Sequence, residues 1–104
     1  MEVKFFDQTL ENFVDDLEKS TIAKVVRAIE LLEHFGYKLG MPHSKKISVR
    51  LFELRIRGKQ EVRIFYIYKD NEIVLLHGFV KKSDRIPEKE LKLVNQKLMM
   101  VDKL

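Results

Sequence analysis

The sequence has no cysteine and no tryptophan, and its 104 residues include only two prolines and four glycines. Without cysteine there is no disulfide staple, no thiolate ligand for zinc and no thiol nucleophile. Scarce Pro and Gly, with 45% hydrophobic residues, argue against a disordered tail and for a packed core. No apolar run approaches the roughly 20 residues that a membrane-spanning helix needs, so no membrane partner is expected. The opening MEVKFFDQ lacks the basic-then-apolar layout of a secretory signal, and the expected location is the cytoplasm. A chain of this length is expected to form a single domain over residues 1–104.

Charge is what the chain has in unequal measure. The formal net charge is +4, but the two signs are segregated. Residues 1–37 hold 4 basic residues (Lys4, Lys19, Lys24, Arg27) against 8 acidic ones, whereas residues 38–104 hold 16 basic and 8 acidic. In residues 38–69 there are 9 basic residues against Glu53 and Glu61 alone. Asymmetry of this kind bears on partners and points to a polyanion, the plain alternative being a solvated basic surface.

The hydrophobic pattern predicts the elements. EVKFF at 2–6 reads as a short strand. Leu10, Phe13, Val14 and Leu17 recur at helical spacing behind a capping Asp7. Ser20 and Thr21 are placed to cap a second helix, with a stripe of Ile22, Val25, Val26, Ile29 and Leu32 reaching Phe35 and a stop at Gly36. Residues 37–46 read as a loop, after which the period changes to two over 47–57, 62–69 and 73–80. With turns at 58–61 and at Asp70–Asn71, these form an antiparallel three-stranded meander. Ile47, Val49 and Leu51 are out of phase with Phe52, Leu54 and Ile56, which predicts a bulge near Leu51–Phe52. Pro87 suits the first turn of a closing helix carrying Leu91, Val94, Leu98 and Val101. The expected fold is α+β: a small antiparallel sheet with the N-terminal helical hairpin and the C-terminal helix packed on one face.

Alternation puts Glu53, Arg55 and Arg57 on one face of their strand, Arg63 with Phe65 and Ile67 on the next, and His77, Phe79 and Lys81 on the third. If register unites them, one face carries a carboxylate, three guanidiniums, a lysine and an imidazole. Taken singly, each reads first as a solvated charge, a reading that weakens for the set because a solvated face mixes acids more evenly among its bases. His77, flanked by leucines, reads first as a half-buried structural histidine. His34, His43 and His77 are scattered, with no metal-ligand spacing, no glycine-rich phosphate loop and no serine elbow. No cofactor or metal is therefore expected. The residue inventory suits chemistry on a phosphate: arginine forks for developing negative charge, and a carboxylate or lysine for moving protons. A ribose 2′-hydroxyl brings its own nucleophile, so RNA cleavage fits better than DNA cleavage.

Phe52-Glu53-Leu54-Arg55, then Val62-Arg63-Ile64-Phe65-Tyr66, then Leu75-Leu76-His77-Gly78-Phe79 with Lys81-Lys82, and Pro87-Glu88 before a last helix, occur in that order. On these motifs the chain resembles the RelE/HigB-type toxins of bacterial type II toxin–antitoxin systems, most closely the phage-associated HigB-like branch. The resemblance covers nearly the whole chain. It implies a ribosome-dependent mRNA endoribonuclease whose partners are the ribosome, mRNA and a helix-turn-helix antitoxin. It implies that Glu53 accepts the 2′-hydroxyl proton, that Arg63 with Arg55 stabilises the scissile phosphate, and that Lys81 or Lys82 protonates the leaving 5′-oxygen. Lys45, Lys46, Arg57 and Arg85 would then hold the RNA backbone or ribosomal RNA. The chain departs from better-studied relatives in ending LMMVDKL, without their C-terminal tyrosine or histidine–tyrosine pair. Two other functions share this expected fold or surface: a ParE-like toxin that inhibits DNA gyrase without being a nuclease, and a non-catalytic RNA-binding module.

Overall fold

The computed structural model describes residues 1–103. Strand β1 (Glu2–Phe5) leads into helices α1 (Gln8–Asp15) and α2 (Lys19–Phe35), a 3-10 turn (Gly36–Lys38), strands β2 (Ser44–Lys46), β3 (Phe52–Ile56), β4 (Val62–Lys69) and β5 (Glu72–Val80), and helix α3 (Glu88–Asp102). The sheet has five strands in the order β1-β5-β4-β3-β2. The predicted meander is its centre. β1 is added in parallel beside β5, so the sheet is mixed, and β2 is added antiparallel to β3.

Local sequence accounts for most boundaries. Asp7 caps α1 by accepting a hydrogen bond from the Leu10 amide at 3.0 Å. α2 starts earlier than expected, at Lys19. Its N-cap, Glu18, makes no side-chain cap, and Thr21 is buried inside the first turn instead of capping it. Gly36 (φ 53°) ends α2 with its amide on the Leu32 carbonyl. Asp70 and Asn71 both have positive φ, which a two-residue type I′ hairpin requires and which Asp and Asn tolerate. Pro87 stands just before α3, at its N-cap.

Two expectations on the basic stretch are corrected. Residues 44–46, read as loop, form edge strand β2, because they pair with β3 through Ser44 opposite Leu54 and Lys46 opposite Phe52. Residues 47–51 are the connection that reverses the chain, with Ile47 and Ser48 amides donating to the Leu51 carbonyl and Val49 fully in solvent. The phase change at Leu51–Phe52 is thus a chain reversal between two strands and not a bulge in one. The bulge lies in β5: Phe65 pairs with His77 and Tyr66 with Leu75, leaving Leu76 without a partner on β4. The Leu76 carbonyl accepts instead from Lys97 of α3 at 2.9 Å.

The helices do not share one face of the sheet as expected but cover both, because residues of each parity along β4 and β5 are apolar and each face needs a cover. α1 and α2 pack Leu10, Val14, Val25 and Leu32 onto Leu54, Ile56, Ile64, Tyr66, Ile73 and Leu75. α3 packs Val94 and Val101 on the other face against Phe65, Ile67, Leu76 and Phe79. Full burial of each such side chain contributes about 1.5–3 kcal/mol. The bulge makes the second core possible: it turns Leu76 to the α3 face while Leu75 and Gly78 stay on the α1 face. Arg50 pins the β2–β3 connection to α3 through two hydrogen bonds to Asp102, at 2.6 and 2.8 Å. On the α1–α2 face burial pushes the Tyr66 hydroxyl pKa up, with the 2.5 Å hydrogen bond to Ser44 opposing it. Burial, and then the neighbouring Tyr66, push Tyr68 up as well. No helix among the described residues is long and apolar enough to cross a membrane.

Candidate active site

α3 covers only part of its face of the sheet. Beyond it lies the stretch where β3 and β4 carry their charged residues. The register that sequence left open is Glu53 opposite Phe65, Arg55 opposite Arg63, and Arg63 opposite Phe79. Glu53, Arg55 and Arg63 therefore share one face, as period-two alternation requires.

Two like charges directly opposed across a ladder repel. Here Glu53 supplies the counter-charge: its Oε1 lies 3.6 Å from Arg55 Nε and 3.5 Å from Arg63 Nε. These are ion pairs and not hydrogen bonds, and both Nε atoms are buried without a hydrogen-bond partner. Arg63 is 2% exposed and Glu53 5%. The Arg63 Nη1 donates to Glu61 Oε2 at 3.2 Å and to the Val62 carbonyl at 3.1 Å. Arg55 Nη1 reaches only the Met41 sulfur, at 3.5 Å. An arginine with its remaining donors weakly occupied keeps capacity for an anion.

Above these groups opens a cleft of about 360 Å³ lined by Arg55, Arg57, Glu61, Arg63, Lys81, Lys82, Ser83 and Asp84. Five cations face two carboxylates. The lysines arrive because the Lys81 amide donates to the Glu61 carbonyl at 2.6 Å, which extends the β4–β5 ladder past Val80. Glu53 does not line the cleft; it lies behind the arginines.

Of the residues singled out from sequence, Arg55, Arg57, Arg63, Lys81 and Lys82 meet in this cleft, with Glu53 beneath. Lys45 is exposed on edge strand β2, paired with Glu53 in register and hence on the same face. Lys46 points to the other face, its Nζ 6.0 Å from the centre of the Phe52 ring. Arg85 is exposed in the loop before α3 and is not among the lining residues; its carbonyl accepts from Ser83 Oγ at 3.2 Å. His77 is drawn under α3, where Nε2 and Glu90 Oε2 are 2.5 Å apart, so it serves packing between sheet and helix. Sequence reasoning passed over Glu61, Ser83 and Asp84. The signal for Glu61 was available, since it stands two residues before Arg63 and shares its side of the strand. Ser83 and Asp84 belong to a loop and carried no period to read. Among the described residues no three His, Asp or Glu side chains gather as a metal site.

With five cations against Glu61, Asp84 and the Glu53 beneath, the arrangement keeps two positive charges in surplus, so it can bind an anion and stabilise charge that develops on it. A family model described as phage derived protein Gp49-like (DUF891) matches residues 12–99, which takes in the second half of α1, all of α2, the whole cleft and most of α3. In a comparison with curated proteins no match is found. The chain belongs to the phage-derived Gp49-like family, a family associated with RelE-like toxins of toxin–antitoxin systems.

Proposed function

We propose that this protein is the toxin of a type II toxin–antitoxin system of the HigB-like kind, and that it cleaves mRNA on the ribosome, in the cytoplasm, until a helix-turn-helix antitoxin blocks it. The observation that carries the reading is Arg63, an arginine buried almost completely yet lining a cleft with Arg55, Arg57, Lys81 and Lys82. Burying a guanidinium is costly, and a purely structural pair is often replaceable by apolar residues. A phosphate in the cleft gives that burial a use, because a desolvated arginine fork acts on it more strongly than an exposed one would.

In the proposed reaction the RNA 2′-oxygen attacks the adjacent phosphorus and the bond to the 5′-oxygen breaks, leaving a 2′,3′-cyclic phosphate and a 5′-hydroxyl. Arg63 and Arg55 turn from Glu53 to the phosphate and stabilise the added negative charge. That movement of the two arginines also uncovers Glu53 from the cleft side and frees its Oε1 to accept the 2′-hydroxyl proton. Arginine cannot fill this role, since it stays protonated. Lys81 or Lys82 gives a proton to the departing 5′-oxygen. Arg57 and Lys45 hold neighbouring phosphates on the same face, and Lys46 and Arg85, outside the cleft, contact ribosomal RNA.

The test is to induce the protein and map mRNA 5′ ends on transcripts that are translated and on the same transcripts with the start codon removed. New ends on translated messages alone are expected. Intact messages accompanied by DNA damage would point to gyrase as the target instead. RNA bound but uncut would point to a binding module.

A further inference from the structure

A second cleft adjoins the first and shares Arg55 and Arg57 with it. It lies between α2 and the end of β3, with a volume of about 260 Å³. Its floor is apolar, made by Ala28 and Leu31 of α2 and by Ile56 of β3. Its rim is cationic: Lys24 and Arg27 stand on the α2 side, and among the described residues no carboxylate lines it. Lys24 is held in place by donating to the Arg57 carbonyl at 3.2 Å. On the opposite side is His43, whose carbonyl accepts the Arg55 amide at 2.8 Å, fixing its position beside β3.

We infer that this cleft takes the base of a nucleotide whose phosphate sits between Arg55, Arg57 and Arg63. The inference rests on the phosphate reading above and adds to it a place for the base. A flat aromatic group with acceptor atoms on its edge matches an apolar floor ringed by donors. Guanidinium planes and an imidazole are surfaces on which bases stack in single-stranded RNA recognition. The two clefts lie on either side of β3 and share Arg55 and Arg57, so a nucleotide that reaches round this end of the strand places its phosphate in one and its base in the other. The surplus of donors and lack of any acidic side chain also disfavour cationic ligands.

At 104 residues the chain suits amide NMR titration with weak ligands. Inorganic phosphate and ribose 5-phosphate are expected to shift the amides of Arg63, Lys81 and Lys82 and to leave Ala28, Leu31 and His43 unmoved. Adenosine and uridine 3′-monophosphate are expected to shift both sets and to bind at least about fivefold tighter than ribose 5-phosphate, the gain expected from one stacked base. Leu31→Ala removes part of the floor and should bring the nucleotides down to the affinity of ribose 5-phosphate, with inorganic phosphate unaffected as the control for folding. Equal affinities for nucleotides and ribose 5-phosphate, with Ala28, Leu31 and His43 unmoved, would overturn the inference alone. Movement of those three amides by a hexaglutamate peptide as strong as by a nucleotide would overturn it in favour of an acidic protein segment. Absence of any phosphate response at Arg63 and Lys81 would bring down the phosphate reading itself, and this inference with it.

Discussion

Arg55 and Arg63 stand directly opposite one another on β3 and β4, and the carboxylate that reconciles them, Glu53, comes from Arg55's own strand. Three charged side chains thus occupy a position in the middle of the sheet where apolar residues would pack at lower cost. Both arginines also face a cleft that the rest of the chain fills with positive charge. The consequences for stability and for activity can be separated.

Arg63 carries the phosphate in the proposed reaction. Arg63→Lys keeps the charge but loses the fork, and is expected to lower cleavage of translated mRNA by about 10²-fold, the scale seen when one transition-state donor is lost. Arg63→Ala should abolish growth inhibition while antitoxin still binds. Toxicity undiminished in either variant would remove Arg63 from the chemistry.

Glu53 balances two guanidiniums. Glu53→Gln preserves its volume and removes its charge, leaving Arg55 and Arg63 to repel across the ladder. A loss of about 2 kcal/mol in urea unfolding is expected, below the largest values for broken buried pairs because Arg55 is partly exposed. Adding Arg55→Gln should return part of that loss, which a double-mutant cycle measures as coupling. An unchanged urea midpoint for Glu53→Gln would show that the carboxylate does not hold the pair.

Tyr66 ties stability to alkaline pH. Burial raises its folded pKa above the ordinary value near 10, and Tyr68 is raised in the same direction. Above pH 10 the unfolded chain releases these protons while the folded chain retains them. Their contribution is therefore complete below pH 10 and is lost as pH rises through the folded values. The urea midpoint should hold up to about pH 10 and fall as pH rises further. Tyr66→Phe should make the fall shallower, and an equal slope in that variant would exclude Tyr66 as a source.

Gly78 tests the packing of α1. A Cβ there would lie 2.8 Å from Phe13 Cε2 and 3.2 Å from Leu10 Cδ1, inside contact distance of two core side chains. Gly78→Ala is expected to cost about 1–3 kcal/mol by overpacking. Its neighbour His77 faces the other way, so phosphate binding in the cleft should persist. Thermal unfolding and the phosphate titration together check both halves.

Much of the fold was legible because the signals are local. The cap at Asp7, the stop at Gly36, the Asp70–Asn71 turn and the α3 stripe each depend on a few neighbouring residues, and each is found as expected. The misreadings come where a local pattern has two explanations. Alternating residues 47–51 have the pattern of a strand but form a reversal, because the Ile47 and Ser48 amides bond back to the Leu51 carbonyl within the segment. The bulge at Leu76 left no mark in a run of apolar residues, where either phase looks buried. The α2 stripe is narrower than its apolar residues suggest, with Val26 and Phe35 about half exposed.

The sequence by itself determined which residue types are present, the segregation of charge, and the alternation that sets Glu53 with Arg55 and Arg63 with Phe65. Those follow from composition and from the two-residue period of a strand. The tertiary structure decided what alternation cannot: the register that opposes Arg55 to Arg63, the ladder extension that brings Lys81 and Lys82 alongside, and the packing of α3 that takes His77 away. Register and helix placement depend on contacts between residues distant in the chain, so no window of neighbouring residues contains them.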